Sequence, residues 1–375
     1  MTFKQRFYLG SGKCPSRNVE AQRIYNYLIR NGWESTDSVQ DADLVILSTC
    51  ASKDRAAEAS LDTMSRLYKA KSDSAPFLVT GCLPLIDRDA VREFEGLQLI
   101  SPRELEKIDL LFDHHVKLRE VPEPNIITVP DVTKQDSFKW RVPYRIELSI
   151  PFLRFCYYRI MELFRDKTDE GPFFNLKLGT GCLGECSYCA IKFVTGKMIS
   201  RDPDTLIEEF RRGLVSKYRY FNFVGQDTGA YGLDIQSTFV ELLESVLKFE
   251  GNYKLAIQDF NAWWLFKYFD ELMSLSLEHR EKFAEIRIPI QSGSDRILRL
   301  MKRPYRVADL KEMILQIRKR ISELRIESHI MVGFPSETEE DFECSRQLLE
   351  ELNLDRVGVF IYDDRPFTEA SRMAD

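Results

Sequence analysis

The sequence is short of positive charge, of histidine and of uninterrupted apolar runs. Lys plus Arg number 53 against 59 Asp plus Glu, a net charge of −6 over 375 residues. That balance argues against a protein that grips nucleic acid mainly by bulk charge, while a local basic face stays possible. The N-terminal stretch has no apolar core of roughly 7–15 residues ahead of a cleavage site, so no secretory signal is expected. No run of about 20 residues is free of charge, so no transmembrane helix is expected. The nearest case, 146–164, is interrupted by Glu147, Arg154, Arg159 and Glu162. There is no internal repeat and no low-complexity tract. A cytoplasmic monomer without a membrane partner is expected. In that compartment the eight cysteines are metal ligands, catalytic thiols or packing residues rather than a disulfide framework.

What is present is an α/β pattern long enough for two or three domains at about 150 residues each. Over 1–113, short apolar runs at 6–9, 43–47, 77–80 and 97–100 alternate with helical spacing at 19–31, 53–70 and 87–95. Such alternation predicts a parallel sheet with helices on its faces. Between 114 and 171 the pattern breaks around Pro122, Pro124, Pro130, Pro143 and Pro151. This stretch reads as an inter-domain connector with one amphipathic helix near 152–164, a packed strut in preference to a lid or membrane-surface helix. From 172 to 375 alternation returns in six units. Strands are expected at 174–179, 220–224, 254–258, 285–290, 325–332 and 356–361. Helices are expected at 203–215, 238–249, 264–275, 295–301 with 307–324, and 337–352. Six βα units in about 200 residues fall short of the full eight-unit barrel, so an open partial (β/α)6 barrel is expected.

Directly after the first strand of this second unit stands Gly181-Cys182-Leu183-Gly184-Glu185-Cys186-Ser187-Tyr188-Cys189. The Cys-x3-Cys-x2-Cys spacing lets one loop bring three thiolates to a small polynuclear centre, as iron–sulfur cubes require. Three ligands leave the fourth iron open to chelate a small molecule. A zinc site is the weaker alternative, because His114, His115 and His279 are far away in sequence. The loop resembles the cluster loop of radical S-adenosylmethionine enzymes. That resemblance implies that Cys182, Cys186 and Cys189 ligate a 4Fe–4S cluster whose open iron binds S-adenosylmethionine, and that Tyr188 packs near the adenine.

Three further cysteines, Cys14, Cys50 and Cys82, each follow a predicted strand of the first unit. Parallel strands end on one sheet edge, so the three can converge although 36 and 32 residues separate them. A second cluster with three ligands would fit there, with Gly12, Ser48 and Gly81 letting the backbone approach; three unrelated buried cysteines are the bland alternative.

Taken together, the two sets resemble the radical-SAM methylthiotransferases. The resemblance includes Cys14-Pro15-Ser16-Arg17-Asn18, Ser48-Thr49-Cys50, Thr80-Gly81-Cys82, Gly225-Gln226-Asp227, Pro289-Ile290-Gln291-Ser292-Gly293-Ser294-Asp295-Arg296, Leu300-Met301-Lys302-Arg303 and Val332-Gly333-Phe334-Pro335. It implies an auxiliary 4Fe–4S cluster on Cys14, Cys50 and Cys82 that handles sulfur, and an enzyme that turns a substrate C–H into C–S–CH3 with two S-adenosylmethionine and two clusters. Gly225, Gln226 and Asp227 stand where the family holds the amino group of S-adenosylmethionine. Gln291 and Ser292 are candidates for ribose or substrate, Gly333 and Phe334 for the adenine pocket, and Arg201 for the cofactor carboxylate, each weighed against turn chemistry or a surface ion pair. A flavodoxin- or ferredoxin-like electron donor is expected.

Three departures accompany the resemblance. The family's C-terminal TRAM domain would begin where this chain ends. Thr195-Gly196-Lys197 stands where an arginine often precedes the glycine. Gln258-Asp259-Phe260-Asn261-Ala262-Trp263-Trp264 replaces a proline after the third barrel strand. Charge and length favour a peptide, protein side chain or small-molecule substrate; the alternative is the position-2 C–H of a transfer-RNA adenosine. A non-catalytic iron–sulfur or zinc module is the reading from another class. The basic run Lys302-Arg303-Pro304-Tyr305-Arg306 reads as a solvated face, Cys156 and Cys344 as packing residues, and His114-His115 as surface or linker.

Overall fold

The computed structural model describes residues 4–12, 14–51, 54–132 and 173–373. The helix expected at 152–164, Cys156 and the connector beyond residue 132 lie outside the described residues.

Two parallel sheets organise the chain. The first contains β1 (Arg6–Ser11), β2 (Glu34–Ser35), β3 (Leu44–Thr49), β4 (Phe77–Gly81) and β5 (Leu97–Ile100) in the order β2-β1-β3-β4-β5. β3 and β4 are buried along their whole length, as near-continuous apolar runs covered on both faces must be. Helix α1 (Pro15–Arg30) starts on a proline, whose missing N–H falls where no helical partner exists. It buries Ala21, Ile24, Tyr27 and Leu28 in one cluster with Phe7, Leu9, Leu44 and Ile46. Helix α2 (Asp54–Ala70) places Met64 and Leu67 in a second cluster with Val45, Leu47, Phe77 and Val79. The short α3 (Leu83–Ile86) follows β4 at once.

The second sheet is the expected open barrel. A small antiparallel ribbon, β7 (Gly179–Thr180) with β8 (Ile199–Ser200), lies just after its first strand β6 (Phe174–Lys177). The sheet continues through β9 (Tyr220–Val224), β10 (Lys254–Ile257), β11 (Phe283–Arg287), β12 (Arg325–Val332) and β13 (Arg356–Ile361), all parallel and in sequence order. Among the described residues β6 and β13 are unpaired edges, so the barrel does not close. Each crossover runs through a helix, and Thr238 and Thr338 start two of them with capping boxes to Glu241 and Asp341. Phe210, Phe221, Phe223, Tyr253 and Ile286 belong to one continuous core between sheet and helices.

Residues 114–132 pack as a strut between the two units. Leu118, Val121 and Val129 join the core under α1, and Asp131 pairs with Ser11 at the end of β1. The prolines there shape a packed coil. Its Asn125 Nδ2 donates to Asn175 O (2.8 Å) and Glu209 Oε2 (3.0 Å), tying the first unit to the barrel. One expectation needs correction: His114 is no loose surface residue. Its Nε2 accepts the Trp33 indole N–H at 2.9 Å, and its ring stacks on Phe112 with centroids 5.0 Å apart.

Candidate active site

Cys14, Cys50 and Cys82 follow β1, β3 and β4, three neighbouring strands, at the carboxyl edge where parallel sheets collect ligands. The Cys14 and Cys50 thiols hydrogen-bond to each other, and Cys82 feels the charge of Cys50. The Ser60 hydroxyl fixes the Cys50 backbone, accepting from its N–H (3.1 Å) and donating to its carbonyl (2.8 Å). Cys82 N donates to Thr49 O at 3.1 Å. Gly81 has φ +95°, and a Cβ there would lie 2.1 Å from Thr49 O, so only glycine permits this approach. The hydrogen bond to Cys50, helped by burial, drives the Cys14 thiol well above its ordinary pKa. Burial pushes Cys82 up to about 11. Such thiols surrender their protons to a metal centre rather than to water.

The second triad uses the same local solution. Thr180-Gly181-Cys182 repeats the tripeptide Thr80-Gly81-Cys82. Gly181 has φ +99°, and a Cβ there would meet Lys197 O at 2.1 Å. The Gly184 N–H donates to Cys182 Sγ at 3.1 Å, and a Cβ on Gly184 would touch the sulfurs of Cys182 (3.3 Å) and Cys186 (3.6 Å). Cys182 and Cys189 both lie within electrostatic reach of Cys186. Among the described residues no three Cys, His, Asp or Glu side chains converge as a single metal ion would require. Either triad suits a cube better, which spreads its thiolates over separate irons.

Around the second triad the barrel loops supply polar groups. Gln226 Oε1 accepts the Gly181 N–H at 2.9 Å, bracing the turn before Cys182. Asp227 lies 3.6 Å from Cys182 Sγ and accepts the Trp264 indole N–H at 2.8 Å. Burial raises the Asp227 carboxyl to about 6. Trp264 was not singled out by sequence as an orienting residue. Its only signal was its place after the third barrel strand, near the sheet edge. Arg303 departs furthest from expectation, because it is buried. It donates to Tyr188 Oη (2.8 Å) and Asn261 Oδ1 (2.8 Å), holding the aromatic residue of the cysteine loop. Tyr188 meets Phe334 edge-on, and with Cys189, Gln291, Met331 and Tyr362 it lines a cleft of about 130 Å³. Gln291 has φ +76°, and its buried Oε1 has no hydrogen-bond partner among the described residues. Gly333 has φ +71° with open space where a Cβ would be.

Three sequence expectations are not met in this arrangement. Ser292 is fully buried, and its hydroxyl serves Ser294 N (3.1 Å) and Ser345 Oγ (3.4 Å) rather than facing a ligand. Arg201 is committed to Glu209 (2.7 and 3.1 Å) and Lys177 O (3.0 Å), so a cofactor carboxylate would have to displace its own carboxylate partner. Cys344 is exposed rather than packed.

The segments that follow the two triads meet. Helix α3, which begins at the residue after Cys82, packs against helix Ile191–Thr195, which begins two residues after Cys189. Cys82, Leu83, Ala190 and Val194 share one apolar cluster. Arg103 from the first unit donates to Lys192 O at 3.1 Å and covers Gly196.

Comparison with known proteins agrees with this geometry. Residues 176–349 match the Radical SAM superfamily, and residues 6–100 match Uncharacterized protein family UPF0004. A probable threonylcarbamoyladenosine tRNA methylthiotransferase of Pyrococcus horikoshii is 25% identical over 98% of this chain and 79% of its own. The ribosomal protein uS12 methylthiotransferase RimO of Thermotoga petrophila is 29% identical over 95% of this chain and 76% of its own. In fold, the chain is similar to the radical S-adenosylmethionine methyltransferase TsrM of Kitasatospora setae, with a TM-score of 0.65 at 14% identity, covering 98% of this chain and 77% of that one. The chain is therefore a radical S-adenosylmethionine enzyme. The joining of that barrel to the UPF0004 region places it more narrowly in the methylthiotransferase family, a family of transferases whose cofactors are 4Fe–4S clusters and S-adenosylmethionine. Among the described residues no helix is long and apolar enough to cross a membrane.

Proposed function

We propose that this chain converts the C2–H of a transfer-RNA adenosine into C2–S–CH3, with Cys182, Cys186 and Cys189 holding one 4Fe–4S cluster and Cys14, Cys50 and Cys82 the other. The observation that carries the proposal is the pair of thiol triads flanking the contact of α3 with helix Ile191–Thr195. The preference for a peptide or small molecule, drawn from charge and length, gives way to transfer RNA because relatives such as the Pyrococcus protein are named for transfer RNA. The uS12 relative, at 29% identity, keeps a protein side chain as the second reading.

When bound, the clusters and S-adenosylmethionine supply a hydrogen-abstracting radical and a source of sulfur. The chain's own residues do the rest. Asp227, held by Trp264, offers an acceptor beside Cys182 for the ammonium of S-adenosylmethionine. Arg303 fixes Tyr188 along one wall of the cleft. The unpartnered Gln291 Oε1 and the open space beside Gly333, whose N–H is held by Glu337, support contact there with the nucleoside part of the cofactor. The apolar contact of α3 with helix Ile191–Thr195 excludes water between the segments that follow Cys82 and Cys189.

The test is anaerobic turnover of the reconstituted enzyme with S-adenosylmethionine, reductant and either transfer RNA or a uS12 peptide. Mass spectrometry of digested nucleosides is expected to show one methylthio group replacing a hydrogen on adenosine. A methylthiolated peptide beside unmodified RNA would assign the protein side chain instead.

A further inference from the structure

Arg17 lies in the first turn of α1, three residues after Cys14, and 2% of its side chain is exposed. It is within electrostatic reach of all three thiols, Cys14, Cys50 and Cys82. Its guanidinium is poorly satisfied. Nη1 touches Glu20 Oε2 at 2.5 Å without hydrogen-bond geometry, and Nη2 has no hydrogen-bond partner among the described residues. A buried guanidinium normally uses its fork of donors, so an idle one is costly to keep.

The surrounding charges do not balance either. Glu20 also faces Lys177 Nζ at 3.5 Å, Lys177 faces Glu123 at 3.5 Å, and Glu123 pairs with Arg23 at 3.2 Å. Three cations thus meet two carboxylates in a buried chain from α1 to β6. The nearby pair Arg201–Glu209 is neutral in itself. The surplus positive charge lies at the end of the chain that faces the thiols.

We propose that Arg17 holds the sulfur anion, a thiolate or hydrosulfide, carried at the open position of a cluster on Cys14, Cys50 and Cys82. This rests on the proposed function, which places a sulfur-carrying cluster on that triad. The idle N–H groups supply charge-assisted hydrogen bonds to sulfur, and the surplus charge selects an anion over a neutral ligand.

The experiment isolates the N-terminal cluster in the full chain with Cys182→Ala, Cys186→Ala and Cys189→Ala. Sodium methanethiolate, and separately neutral imidazole, are titrated while electron paramagnetic resonance of the dithionite-reduced cluster is followed. Arg17→Gln is expected to weaken methanethiolate binding about tenfold or more and to leave imidazole binding within about twofold. Glu20→Gln, which removes the counter-charge and keeps Arg17, is expected to tighten methanethiolate binding. Should Arg17→Gln fail to hold iron, the Glu20→Gln result decides alone. Equal loss for both ligands in Arg17→Gln, or unchanged methanethiolate binding in Glu20→Gln, overturns the role of Arg17. If the parent protein with intact Arg17 assembles no iron–sulfur cluster at all, the proposed function fails first, and this role falls with it.

Discussion

Two Thr-Gly-Cys turns carry much of the chemistry, and each depends on a glycine that nothing else can replace. Gly81 and Gly181 have positive φ, and in both a backbone oxygen stands 2.1 Å from where a Cβ would be. Backbone cannot yield as a flexible side chain can, so Gly81→Ala or Gly181→Ala must displace the adjoining cysteine. Each substitution is expected to lower the iron bound after anaerobic reconstitution by about half, since each cube holds about four irons. A Gly81→Ala protein with full iron would show that the turn tolerates displacement. Cys50→Ala separates the roles of the triads. It is expected to keep reductive cleavage of S-adenosylmethionine, read as 5′-deoxyadenosine, and to lose methylthio transfer. Transfer retained by that variant would remove the N-terminal triad from sulfur chemistry. The residue scale is also where sequence was least informative. The cysteines could be paired with their sheet edges from spacing and strand order alone. Arg303 could not, because a basic run in the loop between helices Asp295–Leu300 and Val307–Arg320 gives no sign that one member turns inward to Tyr188 and Asn261.

At the scale of elements, hydrophobic periodicity located most of the fold. The strands at β9, β12 and β13 lie where alternation put them, and β3 and β4 differ by one or two residues at their ends. Long apolar runs between helices leave little freedom in register. The two-residue β2 and the ribbon β7–β8 are too short to show a period. The packing of segment 114–132 is carried by isolated apolar residues among prolines, which show no period. The contact between α3 and helix Ile191–Thr195 joins residues more than a hundred positions apart, so no local pattern announces it. Leu83 is fully buried there, and Leu83→Ala is expected to cost about 3 kcal/mol, measurable by denaturant unfolding. His114 gives this unit a pH dependence. Burial lowers its pKa, and its neutral Nε2 must accept from Trp33. A group depressed in the fold contributes stability above its unfolded pKa of about 6.5 and loses it as pH falls further. Thermal melting between pH 7.5 and 5.5 is expected to fall less in His114→Gln, which keeps an acceptor but cannot charge. An identical fall in both proteins would contradict this.

At the scale of the whole molecule, the two parallel sheets are joined by the apolar contact of α3 with helix Ile191–Thr195, by the buried ionic chain from α1 to β6, and by hydrogen bonds from Asn125 and Arg103. Net charge described the molecule poorly. The −6 balance conceals a buried surplus of positive charge beside the first triad. The most direct measurement of the central claim is iron per chain after anaerobic reconstitution of three proteins. The unaltered chain is predicted to hold about eight irons, and a variant with either triad changed to alanine about four. An N-terminal triad variant that keeps the iron content of the unaltered chain would contradict it.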